Sequence, residues 1–507
     1  MKRLKAGIFL SVLVLGWIPA LAQDLASFEK RVTVEKLDNG LTVILCRRPE
    51  APVFSFATWV DAGSSQDPLH MTGLAHMMEH MAFKGTDRIG TTDYPAEKVA
   101  LQKVEQAYAA YRTERFKPTG ADPAKLSQLE KAWKEAVTEA DKYVVKGAFD
   151  EIVQREGGVG LNAFTTYDET VYFYSMPVNR LELWAYLESS RFAHPVMREF
   201  YKERDVVMEE RRMRTDSNPV QRMLEQFLAV AFDANPYHRP TIGYMSDLQY
   251  FSATDALRFF KSYYVPSNMV VAVVGDLDPA TAMPVIKRYF GSIPSGSKPD
   301  EFVSHQPSQQ SERSVLVKDP AQPIFIEGYH RPNFRDPDDA VYDVISDLLS
   351  DGRTSRLYRS MVRDKQIAAA AGGFSPYPGS KYPHLFAYYA VPLPGHTPQE
   401  MQKAIHEQID RLKTQDVSDD ELKMVKTRAQ ATLVRGLASN SGLAQQLAAA
   451  QARYGDWREL FRQVDRIDKV TPQDIRRVAA KTFVEANRDV GIMESTQPAT
   501  VATGEKQ

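Results

Sequence analysis

Gly73 to Thr86 reads GLAHMMEHMAFKGT, and three residues inside it, His76, Glu79 and His80, decide how the rest of the chain is read. On an α-helix, residues four apart lie one turn above each other, so His76 and His80 can aim both imidazoles at one point roughly 5 to 6 Å from either Cβ. Two neutral imidazoles are borderline-soft donors. They point to zinc, whose catalytic sites use three protein ligands and keep one position open for water. Glu79 sits beside the same point without having to ligate and can take a proton from that water. Such a base contributes about 10²- to 10⁴-fold to rate, while the metal lowers the water's pKa towards roughly 7 and polarises the carbonyl under attack. Together these parts describe peptide-bond hydrolysis. With 10 His among 507 residues, His-x-x-Glu-His arises by chance with odds on the order of one in a hundred.

The wording around the motif, GLAH before it and EHMAFKGT across it, resembles the pitrilysin/insulinase family, the inverzincin metallopeptidases, and within it a bacterial processing-peptidase-like subgroup. That resemblance covers most of the chain and implies an α+β fold. Two homologous α/β-roll domains are expected, each a mostly antiparallel sheet packed with helices, together half of a clamshell. It implies a zinc metalloendopeptidase with one Zn2+ per chain, cleaving peptides or small unfolded polypeptides. The fold also resembles catalytically silent peptide-binding or scaffold subunits of heterodimeric peptidases, against which an intact motif argues.

The remaining site residues follow from the resemblance. In EFYKERDVVMEERRMRT, expected to be helical from Glu199 to about Thr215, the family pattern E-R-x-x-V-x-x-E lands on Glu203 through Glu210. Glu210 is thereby the third zinc ligand and Glu203 a carboxylate steadying a ligating histidine. Glu209 points about 100° away around the helix. The run GLNAFTTYDETVYFYSMP alternates from Leu161 to Met176 as a strand pair. The matching family strand lies at a sheet edge beside the zinc, where an extended peptide can add itself as another strand. Asn162, Ala163 and Phe164 are the candidates for substrate contact. DGRTSRLYRSMVRDK, from Asp351 to Lys365, resembles the segment that supplies an arginine and, seven residues on, a tyrosine to the substrate carbonyl. Arg363 takes the arginine position, but the tyrosine position falls on Ala370. A companion chain, identical or related, could supply the missing contact across a clamshell, so a homodimer or heterodimer is expected.

The 507 residues exceed a single core, which stops growing near about 250 to 300 residues. Lys2, Arg3 and Lys5 precede the apolar run Ala6 to Ile18 and the small-residue site Ala20-Leu21-Ala22, which reads as a cleaved signal peptide over 1–22. A periplasmic or secreted protein is expected. No later stretch approaches about 18 continuous apolar residues, so no membrane span is expected. Lys+Arg 63 against Asp+Glu 65 gives a net charge of −2 and no basic stripe for nucleic acid. Cys46 is the one cysteine, so no internal disulfide can form; at the end of the strand LTVILC it reads as a half-buried inert thiol.

Along the chain, 23–294 reads as the zinc-peptidase domain. RVTVEKL and LTVILC form a hairpin leading to the strand VFSFATWV, and the motif helix runs from about Leu69 to Phe83. Residues from about 92 to 146 read as an inserted helical hairpin, Glu97 to Arg115 and Leu126 to Val145, with Asp122 as N-cap before Pro123. Removing it brings the spacing from His80 to Glu210 to about the family's span. A solvated lid, a partner surface and a neutral insertion are all open roles for it. NMVVAVVG, Asn268 to Gly275, is a buried strand. Residues 295–313 are a linker, 314–494 a homologous domain without the zinc motif, and 495–507 a polar tail. A gapless alignment of Gly85 with Gly352 puts Asp343, Ser346 and Asp347 where His76, Glu79 and His80 stand.

Overall fold

β1 (Val32–Lys36) pairs antiparallel with β2 (Thr42–Arg47) through a turn in which Gly40 adopts φ +96°. A side chain there would be strained at that φ, and its Cβ would lie 3.0 Å from Ser267 Cβ. The computed structural model describes residues 25–301 and 306–496. The expected signal peptide and the polar tail from 497 onward lie outside the described residues.

β3 (Val53–Val60), β4 (Val159–Thr165), β5 (Thr170–Pro177) and β6 (Met269–Gly275) complete a six-stranded sheet of order β1-β2-β6-β3-β5-β4. The third strand does not continue the hairpin: β6 slots between β2 and β3, parallel to the first and antiparallel to the second. Every residue of MVVAVVG is buried, and a strand apolar on both faces is stable only in a sheet's interior. β4 is left at the open edge.

The second sheet consists of β7 (Arg313–Asp319), β8 (Ile324–Arg331), β9 (Ala368–Tyr377), β10 (His384–Pro392) and β11 (Arg488–Ser495), in the order β7-β11-β8-β10-β9. Strand for strand this repeats β2-β6-β3-β5-β4, with β7 and β11 again the parallel pair. The fold is therefore two related α/β units, as the sequence implied. The helix after β8, Asp339–Ser350, stands where the motif helix stands after β3. In it Asp347 pairs with Arg428 at 2.8 Å and Asp343 accepts from Gln463 at 2.8 Å.

Each sheet's second face is covered by the other half of the chain. Leu443, Ala444, Leu447 and Ala448 of helix Asn440–Tyr454 pack on Ile44, Ala57, Val270 and Ala272 of the first sheet. Met223, Phe227, Leu228 and Ala231 of helix Pro219–Ala231 pack on Ile326, Leu385 and Met493 of the second. Cys46 lies in the first of these interfaces. It is fully rather than half buried, and burial pushes its thiol up to about 11. Asp168, in the β4–β5 turn, accepts from Tyr237 Oη at 2.5 Å and from the N–H groups of Ser380 and Lys381 at 2.6 and 3.0 Å. The edge hairpin of the first sheet is thus fastened to the β9–β10 loop. Among the described residues no helix is long and apolar enough to cross a membrane.

The inserted hairpin forms helices Tyr94–Arg115 and Pro123–Ala140, and Asp122 Oδ1 accepts the N–H groups of Ala124 and Lys125. It is a buttress. Tyr108 packs tilted and Trp133 edge-on against Tyr201, with ring centroids 4.4 and 5.2 Å apart, and Arg204 donates to Tyr108 Oη at 2.6 Å. Both Tyr201 and Arg204 belong to helix Phe200–Arg211, which carries Glu203 and Glu210. At the hairpin's start, Arg198 donates to both oxygens of Glu97 at 2.6 and 2.8 Å, with the two residues at most 1% exposed. The same guanidinium donates to the carbonyls of Lys84, Thr86 and Ile89, the loop that follows the motif helix. Removing one member of a buried pair leaves an uncompensated charge, which costs about 3–5 kcal/mol. Glu97→Ala is expected to lower unfolding stability by that amount, read as a fall in the denaturation midpoint at unchanged m-value.

Candidate metal centre

The motif helix spans Leu74–Met81, a turn shorter at its start than the sequence suggested. The reason is a cap from upstream: Asp67 Oδ2 accepts the N–H of Gly73 at 2.7 Å and Oδ1 that of Ala75 at 2.8 Å. Gly73 sits at φ +93°, and a Cβ there would stand 2.7 Å from Ile242 O. Met77, Met78 and Met81 fill the core. The opposite face presents His76, Glu79 and His80 to helix Phe200–Arg211 and to β4.

The two imidazoles stand 4.8 Å apart, nearly perpendicular. Glu210 Oε2 lies 3.9 Å from His76 Nε2 and 3.6 Å from His80 Nε2. Donor atoms of His76, His80 and Glu210 all fall within 4.8 Å of one another, the one such grouping of three among the described residues. Tetrahedral donors about 2 Å from zinc stand roughly 3.3 Å apart, so small side-chain rotations close this set onto an ion. Two imidazoles and one carboxylate are also a donor set that zinc accepts in catalytic sites. Burial, with His80 and Arg214 adding, pushes His76 down to about 3, so its ring is neutral, the ligating form. Its Nδ1 is buried without a protein partner.

His80 is held differently. Its Nδ1 lies 2.9 Å from Glu203 Oε1, whose other oxygen meets Lys84 Nζ at 2.5 Å. Burial alone would lower the His80 pKa, but the Glu203 contact and the neighbouring carboxylates outweigh it and raise it. Such a carboxylate fixes ring orientation and makes the ligating nitrogen more basic. Glu210 Oε1 pairs with Arg214 Nη1 at 2.6 Å, leaving Oε2 turned to the imidazoles. Glu209 instead faces solvent, its side chain 57% exposed and paired with Arg212. Glu79 accepts a 2.6 Å hydrogen bond from Thr165 Oγ1 on Oε2. Burial raises its pKa, opposed by that bond and by His80, with the charge of Glu210 adding to the rise.

β4 runs past this cluster with a one-residue bulge between Val159 and Asn162, where Gly160 adopts φ +70°. Beyond it the side chains alternate. Ala163 and Thr165 face the motif helix, and Asn162 is exposed, its Oδ1 accepting the N–H of Ala163 at 2.9 Å. Phe164 departs from the substrate-contact expectation: its ring turns to the sheet's far side, 6.1 Å from Phe173, because successive residues of a strand point to opposite faces. Two clefts flank the cluster. One of about 390 Å³ is walled by Glu79, His80, Phe83, Phe149 and Asn162, and one of about 750 Å³ by His76, Thr165, Glu210, Arg214 and Tyr377. Arg363 lines neither of them; it is 55% exposed and pairs with the adjacent Asp364 at 2.6 Å. Ala370 is paired with Val391 inside the second sheet.

Sequence reasoning passed over Thr165, Arg214, Lys84 and Asp67. Thr165 carried a usable signal, since it shares strand parity with Ala163, and so did Arg214, which is i+4 from Glu210. The cap by Asp67 and the Lys84–Glu203 contact had none.

Comparison with known proteins places this geometry. The description "Insulinase (Peptidase family M16)" matches residues 42–107, and "Peptidase M16 inactive domain" matches residues 250–429. A zinc protease of Helicobacter pylori, PqqE, is 28% identical over 416 residues, spanning 80% of each chain. A probable mitochondrial-processing peptidase beta subunit of Arabidopsis thaliana is 24% identical over 485 residues, 92% of this chain and 78% of its own. The crystal structure of a protease from Helicobacter pylori superposes with TM-score 0.75 at 26% identity, covering 92% of this chain and 99% of that one. A Pseudomonas fluorescens structure titled as a peptidase M16 inactive domain shares the fold, with TM-score 0.72 at 16% identity, covering 92% and 99%. With the inverted motif in one half, a strand-for-strand repeat of that half in the other, and these matches across both, the chain belongs to the pitrilysin/insulinase family, peptidase family M16.

Proposed function

We propose that the protein is a zinc metalloendopeptidase acting on peptides or small unfolded polypeptides held in extended form. The observation that carries this reading is the convergence of His76, His80 and Glu210 donor atoms within 4.8 Å, with Glu79 beside them on the same helix. A zinc ion held by those three would supply a Lewis acid that polarises a carbonyl and brings the pKa of water towards roughly 7. The chain's own groups do the rest. Glu79 takes the proton of the attacking water and returns it to the departing amine, and burial, by raising its pKa, favours the first of these transfers. Thr165 holds Oε2 of that carboxylate, which fixes where the proton is carried. Glu203 orients His80, and Arg214 orients Glu210. The unpaired edge of β4 takes the substrate backbone as an added strand, which displaces Asn162 Oδ1 from the Ala163 N–H.

Arg363 is exposed on the second half, and with Ala370 at the tyrosine position the carbonyl contact calls for a companion chain, in a homodimer or a heterodimer with a related chain. Export to the periplasm, with cleavage near Ala22, is part of the proposal. The second reading, a silent peptide-binding subunit, draws on the inactive-domain match over residues 250–429. That match falls mostly on the half in which Asp343, Ser346 and Asp347 replace the motif, whereas the first half keeps all three motif residues. The test is metal analysis of the purified protein with a peptide-library digest. Zinc near one per chain and cleavage abolished by a chelator are expected; full zinc without any cleavage would favour the silent subunit.

A further inference from the structure

Resting on that reading, we propose that Arg214 sets substrate preference: it makes the larger cleft, on the His76 side of the site, select an acidic side chain of the bound peptide. Arg214 stands in the wide-turned segment Arg212–Asp216 that continues the ligand helix. Its Nη1 engages Glu210 Oε1 at 2.6 Å, yet the side chain is 75% exposed and walls the cleft of about 750 Å³. The other charges of this cleft are committed. Glu225 is bound by both terminal nitrogens of Arg211, each at 3.1 Å. Glu210 turns Oε2 to the two imidazoles, and a dication held there cancels its charge. What faces an incoming peptide is then the guanidinium, on a wall that also includes His238, polar groups such as Thr165, Asn218 and Tyr377, and apolar ones such as Met213 and Ile242. A fork of N–H donors that keeps one pointed at a ligand carboxylate can offer the others to a second carboxylate. The smaller cleft differs: its cations Lys84 and Arg198 are bound to Glu203 and Glu97, and Asp150 and Glu199 also line it.

The experiment uses fluorescent peptides that differ only in carrying Asp, Gln or Lys at each position in turn. Binding is measured to the zinc-loaded Glu79→Gln protein, so the readout does not depend on cleavage. At one position Asp should bind about 3- to 5-fold more tightly than Lys, with the ratio shrinking as salt is added. Adding Arg214→Gln, which keeps an N–H donor for Glu210, should level the series when zinc is held at saturation and its content is checked in each variant; adding Arg214→Lys should keep the order. An Asp preference that survives Arg214→Gln, or peptides that bind with no charge preference at any position, overturns the inference. A wild-type protein that cleaves nothing while the preference and its loss are seen would sink the peptidase reading and leave this one standing. Active wild type without the preference does the reverse.

Discussion

Replacing Glu79 by Gln is expected to lower kcat by about 10²- to 10⁴-fold while zinc content and fold stay as in the wild type. Glutamine has nearly the same shape, so Thr165 Oγ1, 2.6 Å away on Oε2, keeps a partner. Only the ability to accept and return a proton is lost. Neither imidazole depends on Glu79 for its orientation, since His80 is held through Glu203 and the His76 ring is gripped by burial. The measurement is steady-state cleavage of a susceptible peptide alongside metal analysis. Unchanged turnover would reject Glu79 as the base; loss of zinc would show that it belongs to the ligand set instead.

Glu210→Ala should shed zinc, whereas Glu209→Ala should retain it. The two glutamates are neighbours in sequence, but about 100° of helix rotation separates them. Glu210 Oε2 stands 3.6 and 3.9 Å from the two Nε2 atoms, while Glu209 is paired with Arg212 in solvent. Taking away one of three protein ligands removes far more affinity than losing an outer-shell partner, which typically costs 10- to 100-fold. Metal analysis after dialysis against a weak chelator reads the difference. Equal retention by the two variants would overturn the ligand choice.

Much of the molecule was legible in local patterns. The i, i+4 spacing of His76 and His80, the alternation of Leu161 to Met176 and the Asp122-Pro123 cap each carry their meaning within a turn or two of chain, and each of these elements formed, with bounds shifted by a few residues. The likeness of the two halves was visible in their strand wording and reappears as one order of five strands shared by both sheets, to which the first adds β1. What misled was also local. Phe164 was grouped with Asn162 and Ala163 through the likeness to the family's edge strand, although its ring turns to the face opposite Ala163. The motif helix was started too early because its cap, Asp67, lies six residues before the first N–H that it takes.

By itself the sequence determined the residues on which the proposed chemistry rests: two imidazoles and a carboxylate on one helical face, a distant glutamate pair, an alternating strand pair, and a second half without the motif. The tertiary structure alone decided that Glu203 reaches His80 across 123 residues, that the inserted hairpin braces the ligand helix, and that each half lends a helix to the other's sheet. The physical reason is range. Periodicity reports a residue's neighbours along the chain, while these contacts arise from packing two sheets whose apolar faces have no way of specifying, within any short window, which distant helix will cover them.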